Sequence, residues 1–460
     1  MARRSGAMLA SLKDKLTGDG LAARARRGSI FVVLKFGGAS FVRLLSNLVL
    51  TRLLFPEAFG LMALMQVFMS GLKMFSDVGI KASIVQHERG DDPVFIRTAW
   101  TVQVLRGIVL ALIVVLAAPY VADFYEEPLL AELLPVAALG LVLNGLMPAR
   151  VMTASRHLML GRMMAIQFIS QVLIVLITIL LAWMLQSVWA LVFGNLIGSV
   201  LRNMLLRHFL TGISDGFAFD RAALRDLIGF GSFILLSTAA AFVTNSGDRA
   251  ILGKFVELDM LGIYTVAFTL AAVPMELLRG LGNKIVFPLY SRRPPHKSDE
   301  NRRKLFRARF LLTGAAFSAS AVMIIFGDPL IRLLYDPRYY LGGGMLVLIA
   351  IGFLPLLIVG SYDTILLSNN RSDKHALLVI SRGALRLVAL LVGIINFGII
   401  GAALAPAVAT LFHYPIMVAL TKRYRAWDPV HDAVFFALTL GLMVLGWWLH
   451  TEAILAIPRS

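Results

Sequence analysis

No cysteine occurs in the 460 residues, which excludes disulfides and thiolate metal sites and leaves the redox compartment unread. The eight histidines include no close pair, so no metal motif is present and no cofactor is expected. Long polar connections are lacking too. Every segment expected on the external side of a membrane is short, which leaves no room for an extramembrane catalytic domain. A formal charge of +17 would suit nucleic acid, but no soluble domain exists to present a basic face, so none is expected as a partner. What the chain has in abundance is apolar side chains. They make up 58% of it, with a mean hydropathy of +0.79, against roughly 45–50% in soluble domains. These numbers describe an all-α membrane protein that crosses the bilayer many times.

The stretch 29–86 sets the pattern. A run over 29–54 exceeds the roughly 20 residues, at about 1.5 Å each, that cross a hydrocarbon core. Pro56-Glu57 breaks it, and a second run follows over 60–80. In that second run Gln66, Ser70, Lys73 and Asp77 recur at helical spacing and stack on one face. Ser40, Arg43, Asn47 and Thr51 do the same in the first run. Two polar stripes of this kind cannot face lipid, so they meet in a protein interior or a wet cavity.

Further spans are expected at 95–121, 130–149, 163–185, 188–210, 226–247, 259–288, 309–327, 341–368, 375–396, 398–420 and 433–456, thirteen in all. Residues 1–28 carry Arg3, Arg4, Lys13, Lys15, Arg24, Arg26 and Arg27 without a continuous apolar core and read as a basic cytoplasmic tail. With the N-terminus inside, most of the 44 Lys and Arg fall in that tail and in cytoplasmic loops, above all Ser291 to Arg309, near anionic membrane lipid. The acidic turn Asp123 to Glu132 then falls outside.

An internal repeat appears at an offset of 202 residues. Glu57 falls on Asp259, and Phe59-Gly60-Leu61 falls on Leu261-Gly262-Ile263. It equates spans one and two with spans seven and eight. Two lobes of six helices each, 29–210 and 211–422, would then be related by a pseudo-two-fold axis along the membrane normal, with 423–460 as one extra C-terminal span.

The spans also carry charge where charge is costly, about 2.5–3.5 kcal/mol near mid-bilayer. The cations are Lys35, Arg43, Lys73, Arg106, Arg279, Lys284, Arg382 and Arg386, and the acids Asp77, Glu276 and Asp363, with Asp248 near a span end. Lys284, also near a span end, fits snorkelling to the interface. Lys73 with Asp77, and Glu276 with Arg279, sit at spacings that allow pairing within one helix. Asp77 therefore reads as a structural or gating partner of Lys73. Arg43, Arg106, Arg382 and Arg386 have no acid at helical spacing and are the stronger site candidates, with Lys35 and Arg279 beside them.

The segment Leu53-Leu54-Phe55-Pro56-Glu57-Ala58-Phe59-Gly60-Leu61, followed by Ser76-Asp77-Val78-Gly79-Ile80, resembles the first hairpin of the Wzx-type polysaccharide flippases. These belong to the multidrug/oligosaccharidyl-lipid/polysaccharide exporter superfamily. Asp248-Arg249-Ala250-Ile251-Leu252-Gly253 and Leu261-Gly262-Ile263-Tyr264-Thr265-Val266-Ala267 resemble the matching hairpin of its second lobe. A thirteenth span departs from the twelve or fourteen commoner there. The resemblance implies flipping of an undecaprenyl-pyrophosphate-linked oligosaccharide from the cytoplasmic to the periplasmic leaflet of a bacterial inner membrane. It implies polysaccharide polymerase and glycosyltransferases as partners. It leaves open coupling to a proton or sodium gradient, for which Lys73, Asp77, Asp248, Glu276 and Asp363 are the gating or coupling candidates.

Independently of it, an anionic pyrophosphate bearing a polar sugar needs a cationic, hydrated cavity, and the spans supply the cations. The nearest rival is a cation-coupled multidrug exporter of the same superfamily, which would be expected to line its cavity with acids. A membrane polymerase or acyltransferase would call for a sizeable external loop or an acid–base pair at a membrane face. A purely structural membrane protein leaves the arginines without a role.

Overall fold

The computed structural model describes residues 38–39, 41–76, 80–157, 159–229, 235–292, 294–369 and 371–458, and no strand occurs among them. The basic tail, Lys35 and Asp77 lie outside the described residues, as does the side chain of Lys284. A helix over 41–53 (α1) leads through a turn into α2 (Pro56–Phe75), where Pro56 occupies the first helical position and lacks only a donor that would have no partner there. The first half continues with α3 (Ile80–Gln86), α4 (Pro93–Tyr125), α5 (Leu129–Gly145), α6 (Arg150–Arg156), α7 (Leu160–Leu185) and α8 (Trp189–Phe209). A short α9 (Arg221–Gly229) precedes the second half: α10 (Leu235–Phe255), α11 (Leu258–Ala271), α12 (Val273–Arg292), α13 (Asp299–Leu334), α14 (Gly342–Val359), α15 (Asp363–Ser368), α16 (Ser372–Lys422) and α17 (Pro429–Leu455).

Among the described residues eight helices are long and apolar enough to cross a membrane, and ten if each of two bent pairs counts as one span. The pair Leu129–Gly145 and Arg150–Arg156 bends by 55° just past Pro148. The pair Leu258–Ala271 and Val273–Gly282 bends by 41° at Pro274. The 51 residues of α16 are in fact two antiparallel helices. Gly398 turns the chain at φ 56°, ψ −135°, a conformation open chiefly to glycine. Beyond the turn His413 Nε2 comes within 3.1 Å of the Leu378 carbonyl oxygen, 35 residues back, which a straight helix could not allow. Split at Gly398, α16 supplies two antiparallel helices in place of one, while α1 and α10 are not among the helices long and apolar enough to cross.

Residues 221–229 form an amphipathic helix whose Ala223 and Leu227 are buried with Phe95 and Ile96 at the start of α4, while Arg221 and Arg225 face outward. Asp248 lies inside α10, which runs on to Phe255 beyond the expected end at 247.

The repeat is physical. A Cβ added at Gly60 would stand 2.2 Å from the Leu258 carbonyl oxygen, and one at Gly262 would stand 1.9 Å from that of Pro56. Leu258 and Pro56 are themselves 202 residues apart, as are Gly262 and Gly60. The contact is therefore reciprocal, as for a patch lying on its own two-fold axis. Helices α2 and α11 cross there backbone to backbone. Gly262→Ala should cost about 1–3 kcal/mol through overpacking. Gly441→Ala, on α17 with nothing within 4 Å of the new methyl, should be neutral, and thermal unfolding in detergent compares the two.

The halves close together at one end of the bundle, where the turns after α1, α4, α10 and α13 gather. Tyr339 donates to the Leu54 carbonyl at 3.1 Å, Tyr125 to that of Ala250 at 3.2 Å, and Lys254 pairs with Glu126 at 2.6 Å. Phe59 meets Tyr339 edge to face. At the other end an ion network ties the segment after α8 to the first half. Arg89 bridges Asp92 and Asp220 at 2.8 and 2.9 Å, and Arg156 holds Asp91 at 2.9 Å. Hydrogen bonds from Arg156 to Asp91, and from Arg89 to Asp92 and Asp220, hold all three carboxyls below their usual range. Depressed carboxyls stabilise above their ordinary pKa and lose that contribution as pH falls through the lowered values. Proteolysis of the 211–220 segment should thus accelerate only once pH falls below the ordinary aspartate range of about 4.

Helix α14 is apolar on every side, and 94% of its spanning window is buried, packed by α11, α13, α16 and α17. The extra C-terminal span is bound into this half. Arg309, expected in the basic loop, is instead fully buried in α13. Its Nε donates to Ser361 Oγ at 2.9 Å, its Nη1 to the Ala426 carbonyl at 3.0 Å, and its guanidinium lies 3.7 Å over the Tyr362 ring. Asp432 of α17, 3.8 Å from Arg309 Nη2, accepts from Tyr362 and Tyr414 and lies 2.8 Å from His431 Nδ1.

Candidate functional site

Three cavities adjoin one another, the first mainly among first-half helices, the second where Arg43 and Leu44 meet the second half, and the third within the second half. The first, about 570 Å³, lies between α1 and α7 and is lined by Ser46, Asn47, Gln167, Gln171 and Thr269 as well as Arg43. Arg43 and Thr269 are shared with the second, about 420 Å³, whose polar lining includes Arg249, Glu276, Arg279 and Arg386. Arg279, Thr244 and Asn245 continue into the third, about 350 Å³, beside Arg382, Asp363, His375 and Arg309.

The predicted cations behave differently from one another. Arg43 Nη2 meets Glu276 Oε2 at 2.5 Å, joining the first half to the second. Arg382 Nη1 meets Asp363 Oδ2 at 2.7 Å. Neither arginine has an acid at helical spacing; each finds one on another helix, because spacing within a helix is blind to partners 233 and 19 residues away. Glu276 consequently faces Arg43 rather than pairing with Arg279 along its own helix. Arg279 makes no hydrogen bond or ion pair among the described residues and is exposed to two of the cavities. Arg386 is only 4% exposed, and its Nε finds no partner.

Asp248 is buried behind this wall, accepting from Tyr264 at 3.0 Å with Arg249 Nε at 3.7 Å. Arg249 itself went unrecognised in the sequence as a site residue. Its Nη2 donates to the Asn245 carbonyl at 2.7 Å, and its guanidinium lies 4.6 Å from the Phe268 ring, which aims it into the second cavity. The tyrosine in Leu261-Gly262-Ile263-Tyr264, one turn before Phe268, was the available signal.

Arg106 is not part of this constellation. Its Nε donates to Ser76 Oγ at 3.0 Å and its Nη2 to the Lys73 carbonyl at 2.6 Å, so it caps the end of α2 inside the first half. Lys73 lines a separate cavity there.

Four arginines thus converge on one solvated cavity in which only Arg43 has a carboxylate partner on the lining. Such a surface suits a multiply charged anion, since guanidinium keeps its charge when buried and binds phosphate oxygens in pairs. The amides and hydroxyls of the first cavity both donate and accept, which suits uncharged hydroxylated groups.

Residues 49–340 match the polysaccharide biosynthesis protein family. The chain belongs to that family. The teichuronic acid biosynthesis protein TuaB of Bacillus subtilis (strain 168) is 18% identical over 298 residues, 65% of this chain and 61% of that one. The lipopolysaccharide biosynthesis protein WzxC of Escherichia coli (strain K12) is 23% identical over 247 residues, 53% and 50% of the two chains. The matched region spans between half and about three fifths of the length of these curated relatives. Among solved structures, the lipid II flippase MurJ in an inward closed conformation superposes with a TM-score of 0.71 at 12% identity, over 92% of this chain and 93% of that one. An inward-facing multidrug resistance transporter of the MATE family gives 0.59 at 14%, over 84% and 96%. At such identities the likeness is one of fold, that of an all-α membrane protein.

Proposed function

We propose that this chain carries a lipid-linked oligosaccharide, built on undecaprenyl pyrophosphate, from the cytoplasmic to the outer leaflet of a bacterial inner membrane. The observation that carries this is the convergence of Arg43, Arg249, Arg279 and Arg386 on a cavity between the two repeats, closed at one end. The polysaccharide names of its relatives and the MurJ-like fold support it. A cavity lined this way disfavours the rival, a cation-coupled multidrug exporter, since cationic drugs would meet four guanidinium groups.

The pyrophosphate docks against Arg279, Arg386 and Arg249, and the sugar lies along Ser46, Asn47, Gln167 and Gln171. The Arg43–Glu276 pair is about half exposed on each side, at 53% and 46%, and such pairs contribute only roughly 0–1 kcal/mol. An arriving pyrophosphate therefore competes for Arg43 and releases the contact between halves. Lobes over 29–210 and 211–422 rock, the closed end opens, and the sugar emerges outside. The N-terminus is cytoplasmic in this scheme. Asp248, Glu276 and Asp363 are the described carboxylates placed to couple the motion to a proton or sodium gradient. Glycosyltransferases supply the cargo and a polymerase consumes it.

Deleting the protein from cells with intact glycosyltransferases tests the proposal. Lipid-linked oligosaccharide should accumulate in the cytoplasmic leaflet, out of reach of an added periplasmic glycosidase, and surface polysaccharide should fall. Normal surface polysaccharide together with heightened drug sensitivity would favour the exporter.

A further inference from the structure

Between α8 and α9 the chain crosses residues 210–220 without regular structure, at the end of the bundle opposite the closed one. This strap is pinned to the first half along its length. The Ala149 amide donates to Asp215 Oδ1 at 2.8 Å, the Ala218 amide to Thr101 Oγ1 at 3.1 Å and the Asp220 amide to Thr98 Oγ1 at 3.2 Å. Phe217 and Phe219 are nevertheless left 73% and 70% exposed. An extended chain puts residues two apart on one face, so the rings form a shared apolar patch, with Phe217 tilted against Trp100 at 5.1 Å.

The height of this patch follows from α4. About 20 residues cross the hydrocarbon, and counting back from Ala122, just before the acidic turn, puts its edge near Val102. Thr98 and Thr101 stand at that edge, so the rings they hold reach the layer where lipid phosphates give way to acyl chains. Arg221 and Arg225 of α9 face outward beside them. The acids of the same stretch are engaged within the first half: Asp215 with Arg207, Asp220 with Arg89 and Asp226 with His87, at 2.7, 2.9 and 3.3 Å.

We propose that the strap and α9 together bind anionic phospholipid, the Phe217 and Phe219 rings entering the acyl boundary and the Arg221 and Arg225 guanidinium groups holding headgroup phosphates. Rings flanked by cations suit this layer, because the ring leaves water while the charge stays beside phosphate. A lipid held here anchors the link between the halves at the membrane surface, on the side of the first half.

Spin labelling of the full chain in liposomes tests this, since without native cysteine each introduced thiol is the only one. Phe217→Cys, Phe219→Cys and Glu88→Cys carry the label, in phosphatidylcholine vesicles with or without phosphatidylglycerol. Collisions with lipid-soluble oxygen should exceed those with a water-soluble nickel chelate at 217 and 219, and the order should reverse at 88. Phe219 decides the depth if Phe217→Cys unsettles Trp100. Labels at 217 and 219 as open to the chelate as the label at 88 would leave the rings in water, available to a protein instead, and would overturn the proposal. Hydrogen exchange of the backbone amides over 211–229 should slow by roughly tenfold or more when phosphatidylglycerol is included, as two cations at an anionic surface allow. That slowing should vanish in Arg221→Gln/Arg225→Gln. Equal exchange of the unaltered protein in both vesicles would mean that no anionic headgroup is recognised, and would overturn the proposal equally.

Discussion

Arg279→Ala should cut surface polysaccharide export by roughly 10- to 100-fold, the effect of losing one charge-assisted contact of about 1.5–3 kcal/mol. Protein abundance and thermal midpoint should not move. Arg279 is the cleanest probe of the central cavity because nothing else depends on it: it lines two cavities and makes no hydrogen bond or ion pair among the described residues. Arg382 offers a contrast. Removing it strands Asp363, 2.7 Å away, so Arg382→Ala should lower both export and stability. Lysine at position 279 should restore export in part, supplying charge without the paired donors. Full export by Arg279→Ala at ordinary abundance, measured in a strain lacking the native copy, would remove this residue from the transport step.

Bridging the closed end should stop transport altogether. Glu126 and Lys254 meet at 2.6 Å across the two halves and are exposed at 80% and 35%. Because the chain has no cysteine, Glu126→Cys/Lys254→Cys introduces the only two thiols. A membrane-impermeant bis-maleimide should abolish export in the double variant and leave both single variants active. Export that continues after complete bridging would mean that this end does not open during transport. Failure of the reagent to reach either thiol from outside would reverse the proposed sidedness.

Much of this architecture was legible in residues 29–86 and their echo 202 positions later. The spans follow from apolar run length, whereas the repeat equates Gly60 with Gly262 without showing that they meet, since only positions close to a two-fold axis touch across it. Spacing along one helix could not reveal that Arg43 and Glu276 face each other, because their separation in sequence carries no geometric information. Arg249 was missed for a related reason. It falls just past the expected span end at 247, where a cation ordinarily reaches the interface, and only the extent of α10 to Phe255 turns it inward.

The buried cluster around Arg309 bears on how the protein is made. Arg309 enters with α13, more than a hundred residues before Asp432 and the Ala426 carbonyl are synthesised. Until α17 emerges, a guanidinium destined for complete burial waits beside Tyr362 without its acid. Without that last segment Arg309 keeps Ser361 and the Tyr362 ring but loses the Ala426 carbonyl and Asp432, so the final helix supplies the acid that balances a charge buried in α13.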